Sequence, residues 1–489
     1  MPAVFYSGGR KMAVSGLFTD FYELTMMQGY FLSDNNPEVV FDMFYRTNPF
    51  GGGYAVFTGL EEFLKALEDF RFSKEDVEYL RSLHQFSEPF LSYLESYRFT
   101  GSVWAMKEGS VVFPQEPLVR VRSSLIDCQL IEGLLLNTVN FQTLIATKSA
   151  RVCLAAGDTA VMEFGLRRAQ GENGANSASR AAYIGGAALT SNTFAAKQYG
   201  IPTGGTMAHS WVMSFPSELE SFQAFAKIYP NNCILLIDTY DTLGSGIDNA
   251  IKVGLEQKEK GLKMGVRIDS GDLSYLPRII RKKLDDAGLG EATICVSNDL
   301  TEDIIQTLVS DHVPIDSWGV GTHLATGGTQ SSLNGVYKLS AKQLSDGSFQ
   351  PSLKVSNSFE KTTNPGIKQV YRFYDSDSLA VGDLIALDDE VIEQGNDYVF
   401  YHPFSDTDLY KMKKDKYATI EPLLQSVMEN GSITMDFKPL SEIRSDVKAN
   451  LARFHQSYKR FINPHIYKVS LSEKLKNLKR DLIISAKLN

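Results

Sequence analysis

Four short segments hold most of the side chains in this 489-residue sequence that can do chemistry, and each follows a run of apolar, β-branched residues. In Glu163-Phe-Gly-Leu-Arg-Arg-Ala-Gln-Gly171 a β-rich run breaks into a loop with two guanidinium groups. Planar arginine forks grip phosphate or carboxylate bidentately, although paired arginines after a strand also serve as structural ion-pair partners. In Gly200-Ile-Pro-Thr-Gly-Gly-Thr-Met-Ala-His209-Ser-Trp211, glycines let backbone N–H groups approach phosphate oxygens, and the loop delivers threonines and a histidine. A lone histidine reads first as structural. Asp238, ending the following run, alters that reading, because a carboxylate there orients an imidazole for nucleophilic or general-base work. Gly265-Val-Arg-Ile-Asp-Ser-Gly-Asp272 ends in one Arg and two Asp, which suit a ribose diol or a magnesium ion with its waters. Asp272, just ahead of Leu273, equally suits a helix N-cap. Gly319-Val-Gly-Thr-His-Leu-Ala-Thr-Gly-Gly328 is a glycine-rich loop of the kind that cradles phosphate late in a barrel. Together the four describe a pocket for a phosphorylated sugar with a metal.

These groups need a frame that gathers strand ends. From about residue 150 to 340 short β-rich runs alternate with helical segments, a βα rhythm. The runs are Ala160–Phe164, Ile201–Gly204, Cys233–Asp238, Met264–Ile268, Thr293–Val296, Ser317–Val320 and Val336–Leu339, with helices expected over Leu219–Ile228, Leu273–Ala287 and Glu302–Val309. A parallel barrel collects functional groups on its C-terminal face. A doubly wound sheet shares the rhythm, but no GxGxxG follows the first strand.

The expected fold class is α/β, in three regions: 1–150, a smaller α+β N-terminal domain; 151–345, the barrel; 346–489, a C-terminal region packing on both. Gly101–Val121 reads as a small antiparallel sheet, and Gly133–Thr147 as a buried helix too short and too polar to span a membrane. Ile443, Val447, Leu451, Phe454, Tyr458 and Phe461 form one apolar helical stripe, and the Lys-rich tail around Leu475, Leu478 and Leu482 reads as a solvated helix face.

Composition bounds the function. With 43% hydrophobic residues and a net charge of −9, the sequence is that of a folded protein and has no overall basic footprint for nucleic acid or an anionic membrane. Cys128, Cys153, Cys233 and Cys295 contain no CxxC pair, so a disulfide framework or regular zinc site is not expected. The N-terminal residues do not read as a signal peptide, and a cytoplasmic location is the expectation.

Thr19-Asp-Phe-Tyr-Glu-Leu-Thr25, Glu163–Gly171, Gly205-Thr-Met-Ala-His-Ser210, Gly265–Asp272 and Gly319-Val-Gly-Thr322, in this order, resemble nicotinate phosphoribosyltransferases. The resemblance spans about residues 17–375 and implies an irregular TIM-like α/β barrel of the type II phosphoribosyltransferase kind, closed by C-terminal segments. It also implies the reaction: nicotinate and phosphoribosyl pyrophosphate give nicotinate mononucleotide and pyrophosphate in NAD salvage, with ATP hydrolysis coupled through a phosphohistidine. ATP is then a co-substrate, Mg2+ the cofactor, and a homodimer with shared active sites the assembly.

By the same resemblance, His209 is the phosphorylated residue and Asp238 its support, with Arg267 and Asp269 completing the catalytic set. Phe164 stacks on the pyridine ring, Tyr22 reaches in from the partner subunit with Asp20 beside it, and Arg167, Thr206 and Arg267 neighbour nicotinate. Arg46, Asp269, Gly321 and Thr322 hold the phosphoribosyl group and its phosphates; the metal ligands are not assigned. Asn192 occupies the position where nicotinamide-using relatives carry an aspartate, so acid substrate is favoured over amide. Glu172-Asn173-Gly174 departs from the family's Asp-Gly, and Asn173 has no assigned role. Three other readings remain open: a nicotinamide phosphoribosyltransferase, a non-catalytic nucleotide-binding paralogue, and a barrel aldolase or isomerase. The last lacks a strand-end lysine before Lys338.

Overall fold

Strands buried on both faces read as continuous apolar runs, and parallel neighbours need helical crossovers between them. In the computed structural model, which describes residues 14–356 and 361–488, six strands, most of them of this kind, form one parallel sheet. Their order is Leu189–Thr190, Ala160–Glu163, Ser317–Val320, Thr293–Ser297, Met264–Ile268 and Cys233–Leu236. The sheet is curled, a parallel half-barrel. Helices Gly171–Ile184, Glu218–Ile228, Ile247–Glu259, Tyr275–Asp286 and Glu302–Ser310 lie between its strands in the chain, and the last two together with Glu218–Ile228 match the expected helices. Leu235, Leu236, Val266, Ile294, Val296 and Val320 are fully enclosed in the core beneath.

Two expected strands fall elsewhere. Ile201–Gly204 contributes a single bridge, Thr203 to Thr190, so it is a loop that touches the sheet edge. Val336–Leu339 lies within Gly335–Gln343, which pairs antiparallel with Glu38–Tyr45 in a different sheet. That sheet has seven strands, in the order Phe349–Pro351, Gly335–Gln343, Glu38–Tyr45, Val119–Ser124, Ser102–Ala105, Gln425–Glu429 and Ser432–Ile433. The antiparallel pairing expected over Gly101–Val121 is present in its middle, and the sheet draws strands from early, middle and late sequence. The helix Glu132–Ala156 contains the expected buried segment and links the antiparallel sheet to the parallel one.

A third sheet, mixed and six-stranded, is built from residues 368–471. The late apolar stripe is corrected here: its α-helix ends at Ala452, and Phe454, Tyr458, which closes the 3-10 turn Gln456–Tyr458, and Phe461 continue beyond it to pack against the main core. The Lys-rich tail is corrected too. In the helix Glu473–Leu488, Leu475, Lys476 and Lys479 are buried, the two ammonium groups satisfied by carbonyl oxygens of His402, Ser405 and Pro403 and by Asn364. No helix among the described residues is long and apolar enough to cross a membrane. The first residues, read above as lacking a signal sequence, lie outside the described residues.

Candidate active site

Strand register gathers three of the four segments, and the fourth, at 200–211, reaches them through the bridge of Thr203 to Thr190 and the contact of His209 with Asp238. Val320 pairs with Glu163, Gly319 with Ser297, and Arg267 with both Cys295 and Leu236, so the chain leaving each strand enters one common rim. His209 opens the short helix His209–Met213, and its Nε2 lies 3.2 Å from Asp238 Oδ1. The imidazole is 40% exposed while the carboxylate is fully enclosed. Asp238 Oδ2 accepts from the backbone N–H of Asp269 at 2.9 Å and from Ser270 Oγ at 2.6 Å. A buried carboxylate with partners on both oxygens is a fixed acceptor. With Nε2 donating to it, Nδ1 of His209 is left with the ring's lone pair.

Arg267 extends the network. Its Nη1 donates to Thr206 Oγ1 at 2.8 Å and to the Met207 carbonyl at 3.1 Å, and Nη2 stands 3.6 Å from Asp269 Oδ2. Arg267 Nε is buried with no protein partner. Asp269 Oδ1 accepts from Ser297 Oγ. Thus His209, Asp238, Asp269, Arg267 and Thr206 are joined by direct contacts. The sequence does not single out Ser270 or Ser297; Ser270 adjoins Asp269 in the chain, whereas Ser297 reaches Asp269 only across neighbouring strands, a contact that no sequence signal marks.

Phe164 lies across the rim on Gly319. A Cβ on Gly319 would stand 2.7 Å from two ring carbons, so glycine is what lets the ring lie against the strand end. Gly321 and Thr322 follow directly, Thr322 opening the turn Thr322–Thr326. Arg167 is exposed on the turn Leu166–Arg168, and neither Arg167 nor Arg168 makes an ion pair among the described residues.

Other strand-end polar groups are structural. Glu163 is buried and accepts from Gly165 N, Ser179 Oγ and Thr190 Oγ1. Asn192 is buried and caps the helix Thr193–Tyr199 through Ala195 N, while its Nδ2 donates to Asn176 Oδ1 and Ser179 Oγ. Asp272 takes its capping role: it accepts from Ser274 N at 2.8 Å and Tyr275 N at 2.9 Å, and these bonds hold its carboxyl below the usual range. Asp241 likewise accepts from Gly244 N.

Two expected residues come from the N-terminal sheet region. Arg46 follows the strand Glu38–Tyr45 and has a buried Nε without a protein partner. Tyr22 is 50% exposed on the helix Phe21–Leu32, where partial burial and the carboxylates of Glu23 and Glu132 push its phenol up. No hydrogen bond or ring contact joins Tyr22 to the rim among the described residues of one chain. A cavity of about 390 Å³ lies elsewhere, lined by Glu38, Trp104, Arg122 and Asn430, and includes none of the rim residues. No group of three or more His, Cys, Asp and Glu side chains among the described residues is set to hold a metal.

Comparison with known proteins covers most of the chain. Residues 17–140 match a family model for the nicotinate phosphoribosyltransferase N-terminal domain, 159–380 the nicotinate phosphoribosyltransferase family, and 367–479 its C-terminal domain. The chain is 41% identical over 459 residues to a nicotinate phosphoribosyltransferase of Bacillus subtilis, covering 94% of this chain and 93% of that one. It is 37% identical over 533 residues to one of Caenorhabditis elegans, covering 96% and 93%. The crystal structure of human nicotinic acid phosphoribosyltransferase superposes with a TM-score of 0.83 at 30% identity, covering 95% of this chain and 99% of that one. A nicotinate-nucleotide pyrophosphorylase from Pyrococcus furiosus, 21% identical with a TM-score of 0.71, shares the fold.

Proposed function

This chain belongs to the nicotinate phosphoribosyltransferase family, and from that premise we propose how its strand-end rim carries the reaction in NAD biosynthesis. The nicotinate ring nitrogen gives its lone pair to the anomeric carbon of phosphoribosyl pyrophosphate as the bond to pyrophosphate breaks, yielding nicotinate mononucleotide. The observation that carries this reading is the connected set His209–Asp238–Asp269–Arg267–Thr206 beside Phe164.

Phe164 offers a face to the pyridine ring, and Arg167 and Thr206 lie on the same rim for its carboxylate. Arg267, with its unpartnered Nε, neutralises substrate anion, and Asp269 accepts from the ribose hydroxyls. Gly321 and Thr322 receive the 5′-phosphate and Arg46 the pyrophosphate, so positive charge faces the group that carries charge away. His209 Nδ1 takes the γ-phosphoryl of ATP, releasing ADP, while Asp238 holds the other ring nitrogen; water later returns the phosphoryl as inorganic phosphate. Mg2+ would be held by Asp269 and the substrate phosphates, since one carboxylate plus phosphates suffices for this ion, and it would supply charge neutralisation at the pyrophosphate.

The same reading takes the half-barrel as the type II phosphoribosyltransferase-like barrel. It also pairs two copies, with Tyr22, Phe18 and Phe21, all about half exposed, reaching from one subunit toward the rim of the other. A cytoplasmic location fits the unpaired cysteines, all four of which are free. Its test is product analysis after mixing protein with magnesium, ATP, phosphoribosyl pyrophosphate and either nicotinate or nicotinamide. Nicotinate mononucleotide with ADP is expected. The nicotinamide product instead would overturn the substrate, and no nucleotide from either base would overturn the reaction.

A further inference from the structure

Arg46 and the glycine-rich loop at 319–328 lie 273 or more positions apart in the chain, yet strand pairing brings Arg46 beside the segment that leads out of that loop. Glu38–Tyr45 pairs antiparallel with Gly335–Gln343, Tyr45 opposite Gly335, so Arg46 leaves its strand just where the chain arrives from that loop. The segment after Arg46 is then fastened to the segment after the loop. Asn334 Nδ2 donates to Thr47 Oγ1 at 3.2 Å, and the backbone N–H of Phe50 donates to Gln330 Oε1 at 2.7 Å.

Phe50 has a φ of +60°, a left-handed conformation that a bulky residue rarely adopts without outside support. Its ring lies 4.7 Å from the Lys148 ammonium, and its amide has Gln330 as acceptor. Gln330 is itself fixed, its Nε2 donating to the Ser332 carbonyl at 3.0 Å. Its own turn needs glycine: a Cβ on Gly327, at φ +77°, would meet the Gln330 carbonyl oxygen at 2.5 Å.

We infer that Gln330 is a positioning residue for phosphoribosyl pyrophosphate, acting through Phe50 to hold the Arg46 segment against Gly321–Thr322. The inference rests on the proposed phosphate-binding roles of Arg46, Gly321 and Thr322. Gln330 touches no substrate in this role; it fixes the separation between two phosphate-binding groups that belong to different sheets.

The test is steady-state kinetics of the full-length protein with phosphoribosyl pyrophosphate varied at saturating nicotinate. Gln330→Met keeps the length of the side chain and lacks the acceptor; it should raise KM for phosphoribosyl pyrophosphate roughly fivefold, the scale of one hydrogen bond, with kcat within about twofold. Gln330→Glu retains the acceptor for Phe50 N but loses the donor to the Ser332 carbonyl, and should bring KM partway back, below that of Gln330→Met. Arg46→Ala should raise the same KM by more, and adding Gln330→Met to it should cost almost nothing further, because the residue acts through Arg46. An unchanged KM in Gln330→Met beside a raised KM in Arg46→Ala overturns the inference alone, as does a loss confined to kcat or a fully additive double variant. An unchanged KM in Arg46→Ala overturns the phosphate-binding role of Arg46, and the inference with it.

Discussion

Asp238 holds His209 Nε2 with one carboxylate oxygen, at 3.2 Å, and the backbone of Asp269 with the other, at 2.9 Å. One buried carboxylate therefore sets both the imidazole proposed to carry phosphoryl and the loop proposed to hold ribose. On the proposed mechanism the two halves of the reaction share a mechanical joint, and phosphorylation of His209 would be felt at Asp269 through this one side chain.

Asp238→Asn should cut acid-labile labelling of His209 by radioactive ATP about a hundredfold, the scale of a lost orienting base. Nicotinate mononucleotide formed without ATP should fall less, about tenfold. His209→Ala should abolish labelling and uncouple ADP formation from product while binding of phosphoribosyl pyrophosphate persists. Labelling of Asp238→Asn at the parental rate would remove the assigned support.

Gly319→Ala probes the ring seat. Its methyl would arrive 2.7 Å from Phe164 Cδ2 and Cε2, so the ring must move, at a cost of about 1–3 kcal/mol in stability. The KM for nicotinate should rise roughly tenfold from a lost stacking face, with that for phosphoribosyl pyrophosphate unmoved. Unchanged nicotinate kinetics in a folded variant would take Phe164 out of the pyridine site.

Glu116 gives a pH signature of stability. Fully buried, it accepts from Phe113 N at 2.9 Å and faces Asp383, whose oxygens are bonded by Arg372 and Tyr467. Burial, then the neighbouring Asp383 charge, push its carboxyl well up. A carboxyl raised in the folded state contributes its stability in full below its unfolded pKa, about 4.3, and loses it as pH climbs toward the folded value. Glu116→Gln imitates the protonated acid, so its advantage in melting temperature over the parent should widen as pH rises above the unfolded carboxyl pKa. Parallel stability curves for the two proteins would be inconsistent with a neutral Glu116.

Strand runs such as Met264–Ile268 and Ser317–Val320 are legible because a strand covered on both faces must be mostly apolar, and the exception within the first, Arg267, together with Asp269 just past its end, marks the chemistry. Leu189–Thr190 was not legible, since two residues carry no period. Val336–Leu339 reads as a strand from its residues, but not as one of the antiparallel sheet: apolar content specifies burial, whereas its partner, Glu38–Tyr45, is chosen by non-local pairing. The lysines of the last helix looked solvated because nothing near them in sequence reveals the carbonyls of 402–405. At the site, residue types announced His209, Asp238 and Arg267, but Asp272 and Asn192 carry the same chemical groups and spend them on helix starts. Gln330 had no signal at all, because its role lies in a bond to a backbone amide 280 residues away.

The pairing of Tyr45 with Gly335 also governs how the protein is made. Ribosomes add roughly 5–20 residues each second, so the strand containing Tyr45 emerges tens of seconds before its partner at 335–343 exists. Through that interval its outer edge offers unpaired N–H and C=O groups to any strand within reach. Nascent chains truncated before residue 335 should accordingly be the species most dependent on chaperones and most prone to join one another.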